Sequence, residues 1–228
     1  MLLTQLKVGQ SKLAPWVNLA LASTHKVKAR ENSLERGQLR SWWAACDTIE
    51  NETARAYLRF LLLTGARREE ALSLRWEDLD LRWNSCTFRD TKNGDNRAIP
   101  LTDYTAKLLN DLPHVNEWVF CSATSASGRM TEPAKPIAHI AAATGLHISS
   151  HDLRRSFATL AEWPELPDGA VKQIIGHKPS GVTEAHYKHR PLDLLRSMLQ
   201  RYEDWLLTEA GQTNAPLASV TPLNIIAK

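Results

Sequence analysis

Ala54, Tyr57, Leu58, Leu61 and Leu62 repeat at i, i+3, i+4, i+7 and i+8, and Gly65 follows shortly after. Side chains at that spacing share one face of an α-helix, so the segment must bury an apolar stripe, and the glycine supplies the stop. From Ser33 onward, Leu34, Leu39, Trp42, Trp43 and Cys46 suit a similar stripe. The period then changes. Cys86, Thr87 and Phe88 on one side of Asn93 and Gly94, with Ala98, Ile99 and Leu101 on the other, read as a β-hairpin that turns near Asn93. Thr102 stands where it can cap a helix running to about Leu112, and Trp118 to Phe120 reads as a short strand. The rest reads as helices punctuated by Pro and Gly. The fold class expected is mainly α with a small antiparallel β-sheet (α+β).

Charge is distributed unevenly along the chain. Residues 1–40 carry seven Lys or Arg against Glu31 and Glu35, a local charge of +5, which leaves −2 for the remainder of a chain whose total is +3. Residues 1–32 show no sustained periodicity and read as a basic N-terminal arm or linker, followed by a folded domain over 33–190 and a C-terminal helix and tail over 191–228. A basic leader of this kind suits the phosphates of a nucleic acid, though it equally suits a solvated arm. Cys46, Cys86 and Cys121 are odd in number and far apart, which points to reduced thiols and away from a disulfide framework or a zinc site. Gln5 and Lys7 interrupt the first apolar run, and no stretch is apolar for long enough to span a bilayer, so the expected location is cytoplasmic, with no membrane partner.

Three stretches carry side chains suited to chemistry. Thr64-Gly65-Ala66-Arg67-Arg68-Glu69-Glu70 puts an arginine just past a glycine stop, with Glu70 one helical turn later and within reach of its guanidinium. His151 and Arg154, three apart, share a helical face, while Leu153 and Phe157 share another. An imidazole and a guanidinium aimed at one point suit a phosphodiester. Gly176-His177 precedes a Pro-Ser-Gly loop and then His186-Tyr187-Lys188-His189. His186 and His189 are spaced for a metal, but zinc wants further ligands that the sequence does not gather nearby, so no metal and no other cofactor is expected. Taken singly, each stretch also reads as an ordinary helix start, a chance H-x-x-R or a packed tyrosine.

In order, Arg67, Lys92, His151-x-x-Arg154, Gly176-His177 and Tyr187 resemble the active-site series of the tyrosine recombinases, the family of phage integrases. Thr91-Lys92-Asn93-Gly94 ahead of Arg97-Ala98-Ile99-Pro100-Leu101 is similar to the hairpin that carries the family's lysine, and His151-Asp152-Leu153-Arg154-Arg155-Ser156-Phe157 is close to its second arginine motif. The likeness covers roughly residues 33–190. It implies the tyrosine recombinase catalytic-domain fold and a site-specific recombinase or integrase that cuts and rejoins double-stranded DNA through a 3′-phosphotyrosine. In that reading Tyr187 is the nucleophile, and Arg67 and Arg154 clamp the non-bridging oxygens. Lys92 protonates the leaving oxygen, His151 and His177 assist, and Glu70 supports Arg67.

The resemblance also implies a bacterial or phage-encoded, nucleoid-associated protein that self-associates on DNA as a tetrameric synapse, with the C-terminal segment docking on a neighbour. Packing of Leu194, Leu195, Met198, Leu199, Trp205 and Leu206 within the same chain is the alternative. Two departures stand out. Tyr187 follows His177 by ten residues where many members have nine, and only the basic arm precedes the pattern where the family usually carries a helical core-binding domain. Rival readings are a DNA-binding module that keeps the fold but cuts little or not at all, a histidine-based metal hydrolase, and a type IB topoisomerase-like relaxing enzyme. Tyr202 is the rival nucleophile, but its amphipathic surroundings favour a packing role. His114, His139 and His147 match no motif.

Overall fold

The stripe of residues 54–62 becomes the helix around which the domain is built. The computed structural model describes residues 32–89, 96–177 and 189–212. A 3-10 turn at Arg36–Gln38 leads into α1 (Leu39–Asp47), and α2 (Glu52–Thr64) follows. Asn51 caps α2 by accepting from Ala54 N at 2.9 Å, and Gly65, at φ 62°, closes it in the left-handed conformation. From Thr53 to Thr64 every residue except Arg55 is buried. The sequence shows one apolar face, but α2 is enclosed nearly all round, with Tyr57 and Phe60 each 5.4 Å from the Phe120 ring and Phe60 6.4 Å from Phe88. A helix surrounded in this way is a fixed reference for whatever its C-terminus carries.

What it carries is α3 (Arg68–Leu72), a single short helix that ends before Leu74. The sheet follows, with β1 (Leu79–Asp80), β2 (Ser85–Phe88) and β3 (Arg97–Pro100) antiparallel in that order. Cys86 pairs with Leu79 and Ile99, and Phe88 pairs with Arg97 at the open end of the ladder. Cys86 and Phe88 face the core while Ser85 and Thr87 are partly exposed, the alternation expected of a half-buried strand. The connecting residues 90–95, including Lys92, lie outside the described residues.

Helices complete the domain: α4 (Asp103–Asn110), α5 (Ala134–Thr144), α6 (Ser150–Leu160), α7 (Asp168–Ile175) and α8 (Leu192–Glu209). α4 stops short of Leu112, and Thr102 does not cap it through its own side chain. That role falls to Glu203 of α8, which is 1% exposed and accepts from Tyr104 N at 2.8 Å and Thr105 N at 2.9 Å, as well as from the Thr102 and Thr105 hydroxyls. Trp118 to Phe120 forms no strand. The Asn116 side chain takes the Trp118 N–H at 2.9 Å, which leaves only single bridges, Arg75 with Trp118 and Cys121 with Arg129.

α8 turns its apolar face into its own chain. Leu195, Leu199, Leu206 and Leu207 are buried, and each contributes about 1.5–3 kcal/mol by leaving water. Tyr202, fully buried, donates its hydroxyl to Leu62 O at 2.9 Å and packs 4.8 Å from Phe157. Burial pushes its phenol well above the ordinary range, so Tyr202 is a core residue tied to α2.

Candidate active site

The C-terminus of α7 is where side chains from three other elements meet. Gly176 takes φ 64°, and the His177 N–H bonds back to Lys172 O at 2.9 Å, a Schellman-type ending. Three carbonyls at that end face three guanidinium groups. Arg97 of β3 donates to Ile174 O, Arg154 of α6 donates to Ile175 O at 2.7 Å, and Arg67 donates to Gly176 O at 2.9 Å. The negative end of the helix dipole and its unsatisfied carbonyls therefore hold three like charges together. Arg154 also donates to Gly65 O at 2.7 Å, which joins the end of α2 to the end of α7.

Glu70 supplies the compensating charge. It is 8% exposed and accepts from Arg67 Nη1 at 2.5 Å, from Arg67 N at 3.0 Å and from Arg97 Nη2 at 2.5 Å. Burial alone would raise its pKa. The Arg97 charge and the Arg67 hydrogen bonds outweigh that and hold it below the usual carboxylate range. Arg154 has no carboxylate of its own, and burial followed by the nearby Arg67 charge lowers it to about 10. It remains a cation at neutral pH, in a cluster of three arginines and one glutamate. Such a cluster favours an added oxyanion.

Glycine is required twice here. A Cβ at Gly65 would sit 2.5 Å from the Phe157 ring, and a Cβ at Gly176 would sit 2.5 Å from Arg97 Nε, both at positive φ. These residues let α6 and the Arg97 side chain lie directly on the backbone.

Five of the seven sequence candidates are described. Arg67, Glu70 and Arg154 are brought together, and the backbone of His177 continues from the helix end they hold, with its ring exposed. His151 is exposed on the first turn of α6, three residues before Arg154. Ser149 fixes that turn through a capping box with Asp152. Lys92 and Tyr187 lie outside the described residues.

Sequence reasoning left two residues unassigned. Arg97 reads as an ordinary hairpin arginine, although its place opposite the buried Phe88 is a signal that it points inward. Gln173 of α7 holds the backbone of Arg190 on both sides, accepting from its N–H at 3.0 Å and donating to its carbonyl at 2.9 Å. No spacing rule in the sequence reveals that pairing.

Beside His177, between α6 and α7, lies an open groove of about 360 Å³ that includes Thr159, Glu162, Asp168 and Ile175. Its acids, Glu162 and Asp168, outnumber its one lysine, Lys172, which pairs with Asp168 at 3.0 Å, so the arginine cluster is the better anion seat. Among the described residues no three His, Cys, Asp or Glu side chains gather as a metal site, and no described helix is long and apolar enough to cross a membrane. Cys46 and Cys86 are buried free thiols and Cys121 is a partly buried one.

Residues 32–191 match the sequence model of the Phage integrase family. The chain belongs to that family. Among curated proteins this integrase-family chain is similar to prophage integrase IntF of Escherichia coli K12, at 50% identity over 80% of the chain and 41% of the relative. It is also similar to tyrosine recombinase XerA of Saccharolobus solfataricus, at 28% identity over 83% of the chain and 64% of the relative. It thus spans less than two thirds of these relatives. Its fold is that of the XerH site-specific recombinase solved bound to difH substrate, with a TM-score of 0.54 and 24% identity over 72% of the chain and 52% of that protein.

Proposed function

We propose that this chain is the catalytic part of a tyrosine-type site-specific recombinase, which cuts and rejoins double-stranded DNA through a phosphotyrosine at Tyr187. The observation that carries the reading is the meeting of Arg67 and Arg154, remote in sequence, on adjacent carbonyls of one helix end. Family membership supplies the reaction, and XerH, bound to its DNA substrate, supplies the partner by analogy.

Tyr187 attacks the scissile phosphorus, and its phenol oxygen forms the new ester as the bond to the 5′-oxygen breaks. Arg67 and Arg154 neutralise the charge that grows on the non-bridging oxygens, and His177 donates a further hydrogen bond. Lys92 gives its proton to the departing 5′-oxygen, and His151 handles the phenol proton or orients the phosphate. A 5′-hydroxyl from another strand then attacks the phosphotyrosine and releases the phenol. One ester replaces another at each step, so the exchange consumes no ATP. Self-association on DNA as a tetrameric synapse completes the scheme. With α8 turned inward, Leu192 and Leu194 are, among the described residues of the C-terminal segment, the large apolar ones still exposed for it.

The test is incubation of the full chain with a pool of nicked duplexes carrying candidate sites, with and without EDTA. An SDS-resistant adduct that survives EDTA and disappears in Tyr187→Phe is the expected result. Binding without any adduct would favour the DNA-binding module that does not cut, and an adduct that moves to Tyr202 would reassign the nucleophile.

A further inference from the structure

Arg97 occupies an unusual position for a strand residue. It opens β3 at the mouth of the β2–β3 hairpin, the element whose connecting residues include Lys92, and its side chain turns inward to only 13% exposure. Its Cζ lies 4.8 Å from the centroid of the Phe88 ring. On the other side it lies flat across Gly176, which has no side chain to exclude it. Nη2 donates to Glu70 Oε2 at 2.5 Å, and Nη1 donates to Ile174 O.

Glu70 gives Oε1 to the Arg67 guanidinium, and its Oε2 also takes the Arg67 N–H at 3.0 Å. Both oxygens are thus held from one residue at the start of α3, and Arg97 adds a charged bond to Oε2 from a different element, which anchors the carboxylate to β3 as well. Arg97 therefore fixes Arg67 without reaching for the same ligand, and it ties β3 to the helix end that leads into His177. Burial lowers the pKa of Arg97, and Glu70 acts against that, as expected for a guanidinium kept charged by one partner.

Resting on the recombinase reading above, we infer that Arg97 is a positioning residue of the cleavage reaction: it locks the Glu70 carboxylate, and through it the Arg67 guanidinium, and couples the lysine-bearing hairpin to the phosphate clamp.

The experiment measures single-turnover adduct formation by the full chain, on whichever nicked duplex the wild type cuts fastest, for Arg97→Gln, Glu70→Gln and the double variant. DNA affinity and melting temperature are measured in parallel. Loss of alignment without loss of a phosphate contact should slow adduct formation by about 10- to 100-fold at saturating DNA, with affinity changed by less than about threefold. Because Arg97 acts through Glu70, the double variant should be no more than about twofold slower than the slower single variant.

Arg97→Lys keeps the cation but has one head and not two, so it should still cut about 10-fold slower than wild type. If Arg97→Gln does not fold, this variant decides the matter. Wild-type rates in Arg97→Lys or Arg97→Gln, multiplicative losses in the double variant, or a loss confined to DNA affinity each overturn the inference while the cleavage reading stands. A wild-type chain that forms no adduct on any duplex overturns both.

Discussion

Changing Glu70 to glutamine removes one negative charge from beneath two positive ones while leaving the shape almost unaltered. The Glu70 side chain is 5% exposed, and its partners are the Arg97 side chain at 13% and the Arg67 side chain at 25%. Breaking a buried pair by removing one partner costs about 3–5 kcal/mol, because the remaining charge stays desolvated. Arg67 is a quarter exposed and recovers some hydration, so the lower end, about 3 kcal/mol, is appropriate here. For a domain of this size that corresponds to roughly 6–12 °C in melting temperature.

The loss should also depend on pH with a definite sign. Glu70 has a folded-state pKa below its unfolded value, so its contribution is fully present above the unfolded value of about 4.3 and is lost as pH falls through the depressed one. Thermal melts of wild type and Glu70→Gln between neutral and acid pH provide the assay, with the two curves converging at the acid end. A gap below about 1 kcal/mol at neutral pH, or one that widens on acidification, would refute the assignment of Glu70 as the charge that holds the arginine cluster together.

Two further substitutions test the packing that supports the site. Gly65→Ala combines positive φ with a Cβ 2.5 Å from the Phe157 ring and should cost about 3 kcal/mol in urea unfolding, whereas Gly145→Ala, also at positive φ but with open space around it, should cost only about 1 kcal/mol. Equal losses would show that the close approach of α6 at Gly65 is not real. Glu203→Gln removes a buried charge yet should destabilise by about 2–3 kcal/mol, because an amide –NH₂ would then face the backbone N–H of Tyr104 or Thr105, neither of which can accept. A neutral or stabilising result in the same measurement would refute Glu203 as the cap of α4.

The parts of this molecule that follow from periodicity were legible. The stripe over residues 54–62, the stop at Gly65 and the change of period around Cys86 and Ile99 each follow from side-chain spacing, and each has its counterpart in α2, its left-handed cap and the β2–β3 ladder. Elements decided by a remote side chain were not legible. Thr102 looks like a cap in sequence, and the true cap comes from Glu203, about a hundred residues later. The clue was present but easily passed over: Glu203 falls on the same helical stripe as Leu199 and Leu206, where a charge has no place unless something pairs with it.

The site divides in the same way. The motif residues that meet in space are those whose relation is local, Arg67 with Glu70, or whose side chain reaches the carbonyls of a helix end, as with Arg154. Arg97 escaped because a strand arginine beside a hairpin turn normally faces water. Its tertiary partners, Glu70, Ile174 O and the open backbone of Gly176, complete the inward turn that the pairing with Phe88 begins.

Gln173 has a mechanical consequence. The chain leaves α7 at His177 and is fastened back to that helix at Arg190, by both the N–H and the carbonyl. The two described ends of that excursion are therefore moored to the same final turns of α7, His177 through Lys172 O and Arg190 through Gln173, so the point from which α8 sets out is fixed by the helix end that the three arginines grip.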